Sequence, residues 1–211
     1  MAELREELKN ALTELRKNKE RKFNETVDLI VNLQKFDVKR NSINVFINLP
    51  FKVRDKKICG FLEAKSDLVD SVIPEQFKKY ATNKAEVKKL VSKYDFFIAQ
   101  ASVMPKVATT FGRALGPSGK MPSPQLGILM DINEKSISDL REKINTSVKI
   151  RTKESSVKLA IGKKDMKDED LIENIMTIYN SLLRELPRDK ENIKNVEVKF
   201  TMTKPIKIAI R

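Results

Sequence analysis

Asp95-Phe96-Phe97-Ile98-Ala99 is a short, almost uninterrupted apolar run, and its flanks decide the fold. Before it, Lys84 to Lys93 spaces Val87, Leu90 and Val91 along one helix face. After it, Val103 to Leu115 reads as a second helix, with Pro105 in the first turn, where a missing N–H is tolerated. A strand apolar on both faces and enclosed by helices belongs in a buried, mostly parallel sheet. Leu126 to Ile132 then reads as another strand and Ser136 to Thr146 as another helix, with Ser136 as its N-cap. Residues 66–147 are therefore expected to form a small α/β layer structure.

Outward from this middle the pattern changes on both sides. Toward the N-terminus, Leu4, Leu8, Ala11, Leu12 and Leu15 make one stripe of an amphipathic helix. Thr26 to Leu33 alternates, with Val27, Leu29, Val31 and Leu33 on one side and Asp28 and Asn32 on the other, as in a strand with one wet face. Ile43 to Leu49 predicts a second strand, stopped by Pro50, and Lys57 to Leu62 a third. Toward the C-terminus, Val148 to Thr152 and Ser156 to Ile161 read as a hairpin around Lys153-Glu154. Asp168 to Leu186 is the most strongly patterned helix, closed by Pro187, and Val196 to Phe200 and Ile206 to Ile210 are strands. Sheet-plus-helix segments on both sides of an α/β segment predict one domain interrupted by another. The split domain takes residues 1–65 and 148–211, with the chain crossing between domains near residues 65 and 148.

The chain has 211 residues, with 42 Lys and Arg against 29 Asp and Glu, a formal charge of +13. Such an excess points to a nucleic-acid partner, because lysine and arginine release the counterions condensed on phosphates. The excess is spread along the chain, so a binding site must be assembled by folding; local clusters occur at 16–22, Lys39-Arg40, 54–57 and Lys163-Lys164. The sequence has no histidine, which removes Ser-His-Asp and Cys-His nucleophiles and any imidazole base. A single cysteine, Cys59, leaves no internal disulfide and no thiolate zinc site. No apolar run approaches the ~18–20 residues that span a bilayer. The opening is acidic and helical, unlike a signal peptide, so a cytoplasmic chain without a membrane partner is expected.

The stretch richest in glycine and proline is Gly112-Arg113-Ala114-Leu115-Gly116-Pro117-Ser118-Gly119-Lys120-Met121-Pro122. A phosphate-binding loop requires glycine, four residues, then Gly-Lys-Ser/Thr, after a strand. Here Ala114 stands at the first glycine position, Met121 replaces the magnesium-binding hydroxyl, and a helix precedes. The stretch reads as a stiff connection, with Arg113, Gly116, Gly119 and Lys120 available for a secondary RNA contact. Asp165, Asp168, Glu169 and Asp170 crowd the start of the long helix, where negative charge complements the helix dipole. No catalytic residue, metal site or cofactor site is read from the chain.

Two short segments, Lys22-Phe23-Asn24-Glu25-Thr26-Val27-Asp28-Leu29 and Val198-Lys199-Phe200-Thr201-Met202-Thr203-Lys204-Pro205, bracket the Gly116–Pro122 loop. In this order, and with Asp95–Ala101 and Met104-Pro105 between, the chain resembles the ribosomal protein L-one family, archaeal members in particular. The resemblance runs from about Arg5 to Ile208. It implies an α/β and α+β protein of two domains: a split α+β RNA-binding domain and an inserted Rossmann-like three-layer α/β domain without a cofactor. It implies that the split domain grips a stem-loop of large-subunit ribosomal RNA at the mobile stalk. By motif match the contacts are Phe23, Glu25, Thr26, Thr201 and Met202, with Lys22, Lys163, Lys199 and Lys204 on phosphates. It further implies help in releasing deacylated transfer RNA from the exit site, repression through a similar stem in the protein's own messenger RNA, and a monomer when free. The chain departs from the family where a glycine–proline normally follows threonine–methionine: here Thr203-Lys204 follows and the proline moves to Pro205. The competing reading is a nucleotide-dependent enzyme using the central α/β segment, which no Gly-x-Gly-x-x-Gly after a strand supports. Duplex DNA binding lacks a helix-turn-helix or finger.

Overall fold

A computed structural model describes residues 2–19, 21–130 and 133–209. Ile132 and Ile210, at the ends of two predicted strands, and Glu20, in the first basic cluster, lie outside the described residues. The chain divides into two compact units, residues 1–54 with 146–211 and residues 55–145. Among the described residues no helix is long and apolar enough to cross a membrane.

The unit made from both chain ends is an α+β structure. Its main sheet has four strands in the order β10-β9-β1-β8: β1 (Thr26–Leu33), β8 (Ser156–Lys163), β9 (Ile193–Phe200) and β10 (Ile206–Ile208), all antiparallel to their neighbours. Alternation along β1 sends Val27, Leu29, Val31 and Leu33 inward. There they meet Leu8, Leu12 and Leu15 of α1 (Ala2–Arg16) and Leu171, Ile175, Ile178 and Leu182 of α6 (Asp168–Glu185) in one core. A two-stranded ribbon, β2 (Asn44–Asn48) with β7 (Ser147–Arg151), adds Ile47 and Ile150 to that core. Asn174 of α6 is fully buried and joins three segments: its Oδ1 accepts from Phe51 N–H, and its amide donates to the carbonyls of Phe51 and Ile161. Arg16 closes α1 onto the start of α6. It pairs with Asp168 at 2.6 Å and donates to the carbonyls of Lys164 and Met166. An arginine of the first basic cluster is thus committed to structure.

The inserted unit is built on a parallel sheet in the order β4-β3-β5-β6: β3 (Ile58–Phe61), β4 (Asp70–Val72), β5 (Phe96–Gln100) and β6 (Ile128–Leu129). Helices α2 (Phe77–Thr82), α3 (Lys84–Lys93) and α4 (Met104–Ser118) cover one face. Phe61, Phe77, Phe97 and Phe111 form its centre, with ring centroids 4.9–5.9 Å apart. Asn83 caps α3, its side chain accepting from the N–H groups of Ala85 and Glu86. Helix α5 (Glu134–Thr146) buries Ile137 and Ile144.

Several sequence expectations change here. The strand at Lys57–Leu62, expected in the split domain, is β3 of the central sheet, so the first crossing falls near residue 54 rather than 65. All four β3 residues are buried, which suits a parallel sheet covered on both faces and not a strand with one wet face. β7 and β8 do not form a hairpin: β7 pairs with β2 and β8 with β1, because both neighbours must match apolar faces in different sheets. Ser136 lies inside α5, which starts at Glu134, and is not its N-cap. α4 continues through Gly116-Pro117-Ser118, three residues past the predicted end at Leu115.

Lys56 N–H donates to Asn145 Oδ1 at 2.9 Å, so the two ends of the insert lie side by side. Excising Asp55–Asn145 and joining the stubs with a short glycine–serine link is predicted to leave a folded protein. The expected outcome is one cooperative thermal transition and dispersed amide resonances. A non-cooperative melt would show that the split unit depends on its insert.

Candidate RNA interface

The predicted contact residues gather at one end of the four-stranded sheet. β1 begins there, and β8 and β9 end there, so residues distant in sequence become cross-strand neighbours. Thr26 lies opposite Lys163, and Asp28 opposite Lys199. Lys163 reaches the open face through a bulge in β8: Gly162 pairs with Val27 and Ala160 with Asp28, leaving Ile161 as the extra residue. Strict alternation would send Lys163 to the core side with Ile161; the bulge turns it outward while Ile161 stays buried. Its ammonium donates to Thr26 Oγ1 at 2.9 Å.

Thr201 and Thr26 close the strand ends on each other. Thr201 N–H donates to the Thr26 carbonyl at 3.1 Å, and Thr201 Oγ1 accepts from Thr26 N–H at 3.0 Å. Glu25, expected as an RNA contact, is only 1% exposed, and its Oε2 accepts from Met202 N–H at 3.0 Å. Its place is beneath the surface, holding the turn that carries Met202. The neighbouring Thr203 closes that turn: its Oγ1 accepts from Phe200 N–H at 2.9 Å, and its own N–H donates to the Phe200 carbonyl. Non-glycine residues with positive φ among those described are Lys35 and Asp189, so this turn has no need of the family's glycine. Lys204 stands exposed on its outside.

Around this frame sit side chains that the fold does not use. Phe23 is 53% exposed and Met202 58%, two of four large apolar side chains exposed among the described residues. A core role for either is excluded. Lys22 is exposed and Lys199 half-buried. Asp28 was not singled out from sequence, since a polar residue on a strand's wet face carries no signal. It lies on the open face opposite Lys199. Burial pushes its carboxyl above the usual carboxylate range, while Lys199 and Lys163 pull it back. The site therefore presents two exposed apolar side chains and several lysines, two of which act on the Asp28 carboxylate.

The glycine–proline stretch lies elsewhere, in the inserted unit. Gly119 adopts φ 73°, ψ 12° and ends α4, its N–H donating to the Gly116 carbonyl, while Lys120 N–H donates to the Leu115 carbonyl. Lys120 Nζ is bound at 2.7 Å to each of the carbonyls of Val91 and Tyr94, capping the end of α3. This lysine serves the fold, and the stretch has none of the geometry of a phosphate-binding loop. Arg113 and Gly116 are exposed on α4. Among the described residues no group of three His, Cys, Asp or Glu could hold a metal.

Comparison with known proteins gives one consistent result. The family described as "Ribosomal protein L1p/L10e family" matches residues 15–204. The chain is 40% identical over 197 residues to "Large ribosomal subunit protein uL1" of Korarchaeum cryptofilum (strain OPF8), covering 86% of this chain and 84% of that protein. The protein of the same name from Nanoarchaeum equitans (strain Kin4-M) is 34% identical over 204 residues, covering 92% and 95%. That from Thermococcus kodakarensis (strain ATCC BAA-918 / JCM 12380 / KOD1) is 32% identical over 219 residues, covering 99% of each.

The geometry separates supporting residues from exposed ones. Thr201→Val removes a hydroxyl that accepts from Thr26 N–H, so it is expected to cost about 1 kcal/mol of stability, the worth of one net hydrogen bond. Phe23→Ala and Met202→Ala are expected to stay within about 0.5 kcal/mol of the parent, as surface changes do. Urea denaturation of the three variants checks this; a large loss for Phe23→Ala would mean that its ring is part of the core.

Proposed function

This chain belongs to the ribosomal protein L1p/L10e family, and on that premise we propose that it is a structural constituent of the large ribosomal subunit. It acts by binding ribosomal RNA, and not as an enzyme. The split α+β unit grips a stem-loop of large-subunit ribosomal RNA at the mobile stalk, using the end of its four-stranded sheet. One observation carries this reading: Phe23 and Met202 are exposed at the same sheet end as Lys22, Lys163 and Lys204, on a backbone frame held by buried Glu25.

The chemistry suits structured RNA. An A-form stem hides its base edges in a deep, narrow major groove and offers its shallow minor groove, 2′-hydroxyls and backbone shape. Phe23 and Met202 pack on sugar or an unstacked base of the loop, where such contacts are worth about 1–3 kcal/mol per base. Thr26 and the main chain of the 201–203 turn meet 2′-hydroxyls, while Lys22, Lys163, Lys199 and Lys204 set the register on phosphates. Asp28 holds the Lys163 and Lys199 ammonium groups on the open face, at the cost of a negative charge facing the RNA. The same surface would recognise a similar stem in the protein's own messenger RNA, so repression follows from competition for one site. On the ribosome the stalk so formed aids release of deacylated transfer RNA from the exit site.

Three outcomes are expected when the ribosomal stem-loop is titrated by fluorescence anisotropy over a range of salt. Phe23→Ala and Met202→Ala each weaken binding roughly tenfold, about 1.4 kcal/mol, without changing the salt slope. Lys204→Ala lowers that slope by about one charge or less. A stem from the protein's own messenger displaces the ribosomal stem. If both apolar variants bind as tightly as the parent, the RNA site is not at this sheet end.

Asp28→Asn provides a separate check. A carboxyl whose native pKa is raised favours the fold most while protonated, below the unfolded value, and this is lost as pH rises through the raised native value. Asp28→Asn is therefore expected to remove that decline from the melting profile. It is also expected to tighten RNA binding at neutral pH, since a negative charge leaves the face. Weaker RNA binding would show that the carboxylate's hold on the lysines matters more than its repulsion.

A further inference from the structure

The inserted unit carries a surface that the proposed stem-loop contact leaves unused, although Arg113 and Lys120 of the expected secondary RNA contact lie along it. A groove of about 800 Å³ runs between α3 and α4, with α2 at one end. α3 lines it with Lys84, Val87, Lys88 and Val91, the i, i+3, i+4 and i+7 positions of one helical stripe. α4 contributes Thr110, Arg113 and Ala114. The floor is apolar: Val87 is buried, and Val91 and Ala114 are half-buried. Its rim is cationic, and no carboxylate lines it. Glu86, the acidic residue of α3, is instead paired with Lys79 at 3.5 Å. Lys84, Lys88 and Arg113 make no ion pair among the described residues.

Two helices packed side by side leave a channel of the width a third helix fills. α3 has 10 residues, so at ~1.5 Å per residue the channel takes about two to three turns of a partner. A single strand of RNA would need exposed aromatic platforms. The groove's one ring, Tyr80, is half-buried and tilted against Phe111 with centroids 5.5 Å apart, so it is committed to the core. Apolar floor and cationic rim together match a helix with an apolar stripe flanked by carboxylates. We propose that the α3–α4 groove docks an acidic amphipathic helix of a partner protein, its apolar residues at i, i+3 or i+4, and i+7 on Val87, Val91 and Ala114, and its carboxylates on Lys84, Lys88 and Arg113. This inference is independent of the RNA site on the other unit.

The test uses the full chain with labelled methyl groups and three probes. One is an 18-residue helical peptide with a leucine stripe and glutamate flanks. The second replaces each glutamate with lysine, and the third is a 12-nucleotide oligouridylate. The glutamate peptide is expected to shift the methyl resonances of Val87, Val91 and Ala114 and to bind at least about tenfold more tightly than the lysine peptide, as complementary charge requires. The Lys88→Glu/Arg113→Glu double variant should lose about tenfold or more for the glutamate peptide, with its thermal midpoint unchanged. If that variant melts lower, Lys88→Glu alone carries the same comparison. The proposal is overturned if the glutamate peptide leaves those methyls unmoved at ~1 mM, if the lysine peptide or the charge-reversed variant binds equally well, or if oligouridylate occupies the groove instead.

Discussion

β1 must satisfy its backbone hydrogen bonds on both edges, and both neighbours come from the far end of the chain. Thr26–Leu33 pairs with Ser156–Lys163 on one side and Ile193–Phe200 on the other. A buried strand cannot leave N–H and C=O groups unpaired, so the N-terminal segment has no stable fold until residues more than 120 positions away are in place. The rest of the split unit follows from this. α1 and α6 are brought over the same sheet face because the strands they adjoin are neighbours, and their apolar stripes fuse into one core. The insertion of 55–145 is tolerated because the interrupted unit is held by these pairings and not by chain continuity.

The same constraint builds the candidate site. Strand ends are where ladder partners run out, so side chains and turns must finish the hydrogen bonding. Buried Glu25, half-buried Thr203 and exposed Thr201 do this work, and the side chains left uncommitted point outward: Phe23, Met202, Lys22 and Lys204. Folding thus sorts residues that look alike in sequence. Arg16 and Lys22 belong to one basic cluster, yet Arg16 is tied to Asp168 and two carbonyls while Lys22 is exposed. Thr201 and Met202 are adjacent, yet the first serves the sheet and the second faces solvent.

The inserted unit makes a complementary point. Its parallel sheet has the layout on which many enzymes hang a nucleotide, but layout is not chemistry. Its glycine–proline stretch finishes a helix, and the lysine that would reach a phosphate instead caps α3. Phe61, Phe77, Phe97 and Phe111, which another protein could use as stacking platforms, are packed on one another in the core. The outer surface of α3 and α4 retains uncommitted charge beside an apolar floor.

Periodicity alone was enough to locate α1, β1, α3, β5 and α6, because each is long or strongly patterned and local propensity agrees with its burial. The mixed α/β character and the interrupted arrangement of elements were legible for the same reason. The candidate contact residues at the two motif segments come from resemblance, since an isolated Phe-x-Glu-Thr or Thr-Met carries no chemical signal of its own. Tertiary structure decided what depends on partners that the local sequence does not name. The short strand β4 exists only because β3 offers it an edge. β7 and β8, adjacent in sequence, separate into different sheets because each has a better apolar match elsewhere. The bulge at Ile161 turns Lys163 outward, and the burial of Glu25 places it beneath the turn that it supports. Local pattern determines which residues want to be inside; only the assembled sheet determines which polar groups are consumed in putting them there and which are left exposed at its end.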